Sequence, residues 1–253
     1  MSRRRGLFSG SSNPMMNEKM FEKSAHQTLD GHFLQVEEKM TMQGAINKSF
    51  ILGIIMLATA LLGYTMPSSL FMWGGAIAGF IVVIIAARKP HLSGTLAPIY
   101  AALEGLFVGS ISAIYASFYD GIIFQAVSLT MAVFFMMLFI YKTGIIKVTN
   151  KFRTGIVMAT GAVVLVYLVN IVLSLFGVHV PFLHDGGMIG IGISLVIIGI
   201  ASMNLLLDFD NFEKGEKFGA PAYMEWFSAM GLLITLVWLY IEILRLISIL
   251  SRD

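Results

Sequence analysis

The chain has 253 residues, 57% of them hydrophobic and only 13% charged, with a net charge of +2 and no cysteine. About a quarter of a soluble domain's residues are charged, so these side chains cannot coat a water-facing surface and the chain must sit in a membrane. The missing cysteines exclude disulfides, thiolate metal sites and cysteine nucleophiles, and the small net charge gives no argument for nucleic acid.

Residues 1–48 are polar and charge-mixed, which predicts a cytoplasmic tail ahead of a membrane domain over 49–253. The opening MSRRRGLFSGSSNP is basic, but no apolar core follows it. It is therefore not a secretory signal, and the first span does the targeting. Phe21, Leu29, Phe33 and Val36 are too few for a core. Phe33, Val36, Met40 and Gln43 fall near helical spacing, which suits an interfacial helix leading into the first span.

Seven apolar runs follow, over 50–66, 70–87, 96–118, 122–141, 155–176, 188–207 and 222–250. Each is near the ~20 residues a spanning helix needs. They lack two-residue alternation and exceed a barrel strand's ~10 residues, so the expected fold is all-α and polytopic, with seven transmembrane helices. The shortest links, 67–69 and 119–121, make the helices they join antiparallel neighbours.

Loop charges predict the orientation. Arg88, Lys89 and His91 lie between spans two and three; Lys142, Lys147, Lys151 and Arg153 between four and five; Lys214 and Lys217 between six and seven. The alternate loops, at Pro67, Asp120 and 179–187, carry no Lys or Arg. With Arg3, Arg4 and Arg5 this puts the N-terminus inside and, after seven spans, the C-terminus outside, where Arg245 and Arg252 run against the rule. Gly74, Gly75, Gly79, Gly105, Gly109, Gly187, Gly190, Gly192 and Gly199 recur at spacings that suit close helix packing. No internal repeat supports a repeat-built carrier.

An acid at membrane depth is expensive and is a functional suspect by default. Glu104 lies in the middle of span three. It can serve an ion path or, as a neutral acid, tie two helices together. Asp208 and Asp210 end span six, about 200° apart on a helix, so one can face the bundle while the other faces water. On span seven, Ser228, Gly231, Thr235 and Glu242 fall within roughly 40° of one line, a stripe that must face protein or water. Arg245 is placed to pair with Glu242, and Glu225 suits the first turn of that helix. His26, His32, His91, His179 and His184 show no helical metal spacing, and there is no HExxH and no nucleophile elbow.

Three stretches carry a resemblance: SSNPMMNEKMFEK with MTMQGAINKSFIL, the third span APIYAALEGLFVGSIS, and above all LLDFDNFEKGEKFGAPAYMEWFSAMGLLITLVWLYIEILRL. Together they are similar to a bacterial branch of the Bax inhibitor-1-like (transmembrane Bax inhibitor motif) family. The resemblance implies six helices around a central seventh, and a pH-dependent calcium leak across the bacterial inner membrane. It further implies an acidic pair from spans six and seven that shuts the path when it shares a proton or is bridged by a basic residue.

Carried over by motif, the span-six acid is Asp208, which opens DFDN. The span-seven acid is Glu242 by the run LYIEILRL, or Glu225 by depth. Two close carboxylates in a low-dielectric site cannot both ionise cheaply, and carboxylate oxygens suit calcium. Asp208 and Glu242 are then the candidate calcium ligands, with Asp210 and Glu104 as further path groups and Arg245 as a basic partner. No cofactor is expected beyond calcium as permeant or bound ion, and no enzyme activity. The partners expected are the bilayer, calcium and protons. The rival reading is a non-conducting regulator that docks on another membrane protein, such as a membrane protease, through its tail and Lys-rich loops.

Overall fold

The computed structural model describes residues 38–176 and 187–251. The readings on Arg3–Arg5, Phe21, Leu29, Phe33, Val36, His26, His32, His179, His184 and Arg252 lie outside the described residues. Among the described residues there is no strand, and seven helices are long and apolar enough to cross a bilayer.

They are α1 (Met42–Thr65), α2 (Gly75–Arg88, entered by a π-helical turn Leu70–Gly74), α3 (Ser93–Ala116), α4 (Ile122–Thr143), α5 (Asn150–Leu175), α6 (Met188–Lys217) and α7 (Tyr223–Leu250). Several begin or end beyond their apolar runs, because capping groups extend a helix past its greasy part. Thr41 accepts from the Gly44 amide and starts α1 well ahead of residue 50. Thr149 does the same for α5 through Phe152. The largest extension is in α6, which runs on through DFDNFEKGEK to Lys217. Asp208 and Asp210 therefore lie inside this helix and do not end it.

α7 is the core of the bundle. In its apolar window 67% of residues are buried, against 11% in α1 and in α5. It packs against α6, α1, α3 and α4, four of the six other spanning helices. α3 and α1 approach closely because Gly105, Gly109 and Gly63 carry no side chain. A Cβ on Gly105 or Gly109 would run into the α1 backbone at Met56 and Ala60, and one on Gly63 into Leu106 of α3. Gly192 and Gly199 of α6 behave differently: a Cβ there meets nothing within 4 Å. These two leave open space where the sequence pattern suggests close packing.

At the end that carries Lys48 and Lys217, the segment before α1 is strapped to the α6–α7 loop. The Met40 amide donates to the Ala220 carbonyl at 2.6 Å, and the Ala222 amide to the Glu38 carbonyl at 2.7 Å. Lys39 and Pro221 form an antiparallel bridge between these two bonds.

Candidate functional site

The acids separate into clusters, each built by different elements. Glu225, in the first turn of α7, is buried against the start of α1. Its Oε1 accepts from the Thr41 amide at 2.8 Å and from the Thr41 hydroxyl at 3.0 Å, and its Oε2 pairs with Lys48. Gly44 makes the room, since a Cβ there would overlap the Glu225 carboxylate. Lys48 also lies 5.5 Å from the centre of the Trp226 ring. Glu225 therefore does more than cap its own helix; it clamps α7 to α1. Nearby, Glu216 accepts from the Met42 amide at 3.3 Å.

The second cluster joins α5 to α6. Arg153 is almost wholly buried. Its Nη1 donates to Asn211 Oδ1 at 2.9 Å, and its Nη2 pairs with Asp210. Asp210 also pairs with Lys214 one turn on, at 3.3 Å. Beside this cluster the Tyr141 hydroxyl of α4 donates to Glu213, which also pairs with Lys217. Further along, Asn204 Nδ2 donates to Thr160 Oγ1 at 2.9 Å.

The third cluster holds Glu242. The Tyr167 hydroxyl donates to its Oε1, and Arg245 Nη1 lies 3.8 Å from its Oε2 and 3.3 Å from the Tyr167 oxygen. Arg153, Thr160 and Tyr167 stand at seven-residue spacing on α5, so they share one face. Each bonds a polar group of α6 or α7.

Asp208 lies between the first two α5 contacts and has no exposed surface. It and Asp210 face apart: Asp208 is in the interior, while the Asp210 side chain keeps 15% of its surface open. Following the register through α5, Asp208 stands level with the Ser228–Gly231 turn of α7. Helical rise then puts it ~8 Å in depth from Glu225 and ~17 Å from Glu242. Ser228 is buried, and its hydroxyl has no hydrogen-bond partner among the described residues. The remaining stripe residues of α7, Gly231, Thr235 and Glu242, are buried as well.

Glu104 stands apart from these clusters. It is half-buried on α3, with its carboxylate toward Gly79 of α2, where a Cβ would come within 3.1 Å of its Oε2. Among the described residues no group of three or more His, Asp or Glu side chains gathers where they could hold a metal ion.

Four side chains that sequence reasoning did not place in the site are Arg153, Lys48, Tyr167 and Thr41. Arg153 and Lys48 read as loop and tail charges. The seven-residue spacing of Arg153, Thr160 and Tyr167 on an otherwise apolar helix is the signal that could have found α5. A model of the family described as Bax inhibitor 1 like matches residues 13–252 of the chain. No curated protein matches it.

Proposed function

The chain belongs to the Bax inhibitor 1 like family of membrane proteins, and from that premise we propose that it is a pH-sensitive leak for cations, calcium foremost. It works in the bacterial inner membrane, with its N-terminus cytoplasmic and its C-terminus outside. The observation that carries this reading is Asp208, a carboxylate with no exposed surface inside a bundle of spanning helices. Nature keeps such a group at membrane depth when it has work there.

Asp208 and the Ser228 hydroxyl supply oxygen ligands of the kind a hard cation takes. Protons and calcium then compete for the same carboxylate, and this competition is the source of the pH sensitivity. The basic partner that shuts the path is Arg153. Its guanidinium, held by Asp210 and Asn211, fixes α5 against α6 just toward the basic end from Asp208. Glu242, held by Tyr167 and Arg245, is a second oxygen site further along α7.

The test is calcium flux into liposomes that contain the purified chain, measured across a pH series. Asp208→Asn keeps the shape of the side chain and removes its titration, so flux should lose its pH dependence. An unchanged profile would take Asp208 out of the mechanism.

One feature favours the rival reading of a non-conducting regulator. The strap over 38–41 ties the root of the N-terminal tail to the loop between α6 and α7, so a partner that grips the tail would pull on the helices bearing these acids. Wild-type protein that passes no calcium at any pH, yet co-purifies with another membrane protein through its tail, would decide for this alternative.

A further inference from the structure

The loop between α6 and α7 is short, and its backbone groups must find partners outside it. α6 ends at Lys217, and Gly219 turns the chain at φ 62°, a conformation that suits glycine. The turn leaves the Ala220 carbonyl and the Ala222 amide as an open edge. Segment 38–41 lies along that edge. The Met40 amide donates to the Ala220 carbonyl, and the Glu38 carbonyl accepts from the Ala222 amide. The next two amides go to carboxylates that flank the edge: Thr41 donates to Glu225 at 2.8 Å, and Met42 to Glu216 at 3.3 Å. Three successive amides thus donate to one helical hairpin.

This is how an extended peptide is recognised, by main-chain bonds to an open edge with a pocket for a side chain. We propose that the edge over 219–222, with Glu216 and Glu225, is a seat for an extended peptide, and that residues 38–41 fill it in cis as a releasable latch.

The seat has a pattern it can select. Met40 is the anchor: it is buried in the core cluster, while Glu38, Lys39 and Thr41 around it are exposed. An occupant therefore needs one apolar residue among polar ones. It also needs free amides at that residue and at the two after it, which excludes proline there.

The latch is built to open. Its main-chain pairing is one bridge, Lys39 with Pro221, between two bonds, and a lone two-stranded pairing is marginal in water. The helices do not depend on it. Thr41 caps α1 through the Gly44 amide, and Lys48 holds Glu225 a turn further on. Local opening can thus free the edge without unfolding the bundle. The seat is there whether or not the protein conducts.

Hydrogen exchange read by mass spectrometry on the full-length protein in detergent follows the latch without any flux measurement. In wild type, 38–42 and 219–225 should exchange faster than the α7 centre over 229–243. Met40→Asp removes the anchor and should speed exchange at both places by about tenfold or more, with the α7 centre unchanged. The synthetic peptide VEEKMTMQ, residues 36–43 of this chain, is then added at about millimolar concentration, near the effective concentration of a tethered segment. It should restore protection over 219–225 in Met40→Asp, and the same peptide carrying Met40→Asp should not.

The chain has no cysteine, so the closed latch can also be locked. Lys39 and Pro221 stand opposite each other. The double variant Lys39→Cys/Pro221→Cys should form a disulfide on mild oxidation and slow exchange over 219–225 below the wild-type rate until it is reduced. This arm decides the latch even if Met40→Asp fails to fold.

Wild-type exchange over 38–42 as slow as in the α7 centre would mean a permanent joint and would overturn the proposal. So would a disulfide that leaves exchange over 219–225 unchanged. A peptide that gives Met40→Asp no protection would show that the edge accepts only its tethered neighbour and is no seat.

Discussion

Glu225 shows how much of a carboxylate's role is set by what holds it. Two donors come from Thr41, a cation comes from Lys48, and the space comes from Gly44. Each can be removed separately, and the effects should rank. Gly44→Ala pushes the carboxylate off all its partners, so it should be the most damaging, lowering stability by about 1–3 kcal/mol as a buried charged acceptor is left unsatisfied. Glu225→Gln keeps the shape and weakens each bond, and should cost less. Lys48→Met should cost least, because Lys48 is partly solvated and the Thr41 bonds survive. Thermal unfolding of the three variants in one detergent checks the order. If Gly44→Ala melts as wild type does, the clamp does not hold the α1–α7 end together.

At the scale of the element, α5 is the unusual helix. Little of it is buried, and polar contacts attach it to its neighbours at Arg153, Thr160 and Tyr167. These contacts are unequal. An interhelical hydrogen bond in a membrane protein averages about 0.6 kcal/mol, so Thr160→Val should be nearly silent. Breaking a buried ion pair on one side costs ~3 kcal/mol or more, so Arg153→Ala should release the basic end of α5.

The chain has no cysteine, which allows a clean test. Spin labels at Gly161→Cys and Gly199→Cys occupy open positions on α5 and α6. Their distance distribution should broaden with Arg153→Ala and stay sharp with Thr160→Val. The reason α5 escaped the sequence reading is physical. Span positions follow from local hydropathy, and all seven were legible for that reason. Which charge meets which acid depends on how α5 and α6 slide past each other, and no local pattern states that register. Arg153 therefore read as a loop charge, and the polar DFDN segment read as the end of a span it actually continues. The Ser228–Glu242 stripe was legible because its members share one helix.

For the molecule as a whole, α7 is the buried member that joins the two ends. It carries Glu225 at the basic end and Glu242 toward the other, and it is packed on most sides between them. A rod held in this way cannot shift at one end without disturbing the other, so its packing should be the least forgiving in the chain. Leu239 is fully buried on α7, whereas Leu165 on α5 is mostly exposed. Leu239→Ala leaves a cavity that its neighbours cannot fill, and large-to-small changes of this kind cost about 2–5 kcal/mol. Leu165→Ala faces lipid or detergent, which flows into the vacated space, so it should cost well under 1 kcal/mol. Melting temperatures of the two variants should differ clearly, with Leu239→Ala the lower. Equal melting would mean that α7 is not the packed centre on which both acid clusters depend, and coupling between Glu225 and Glu242 would lose its physical carrier.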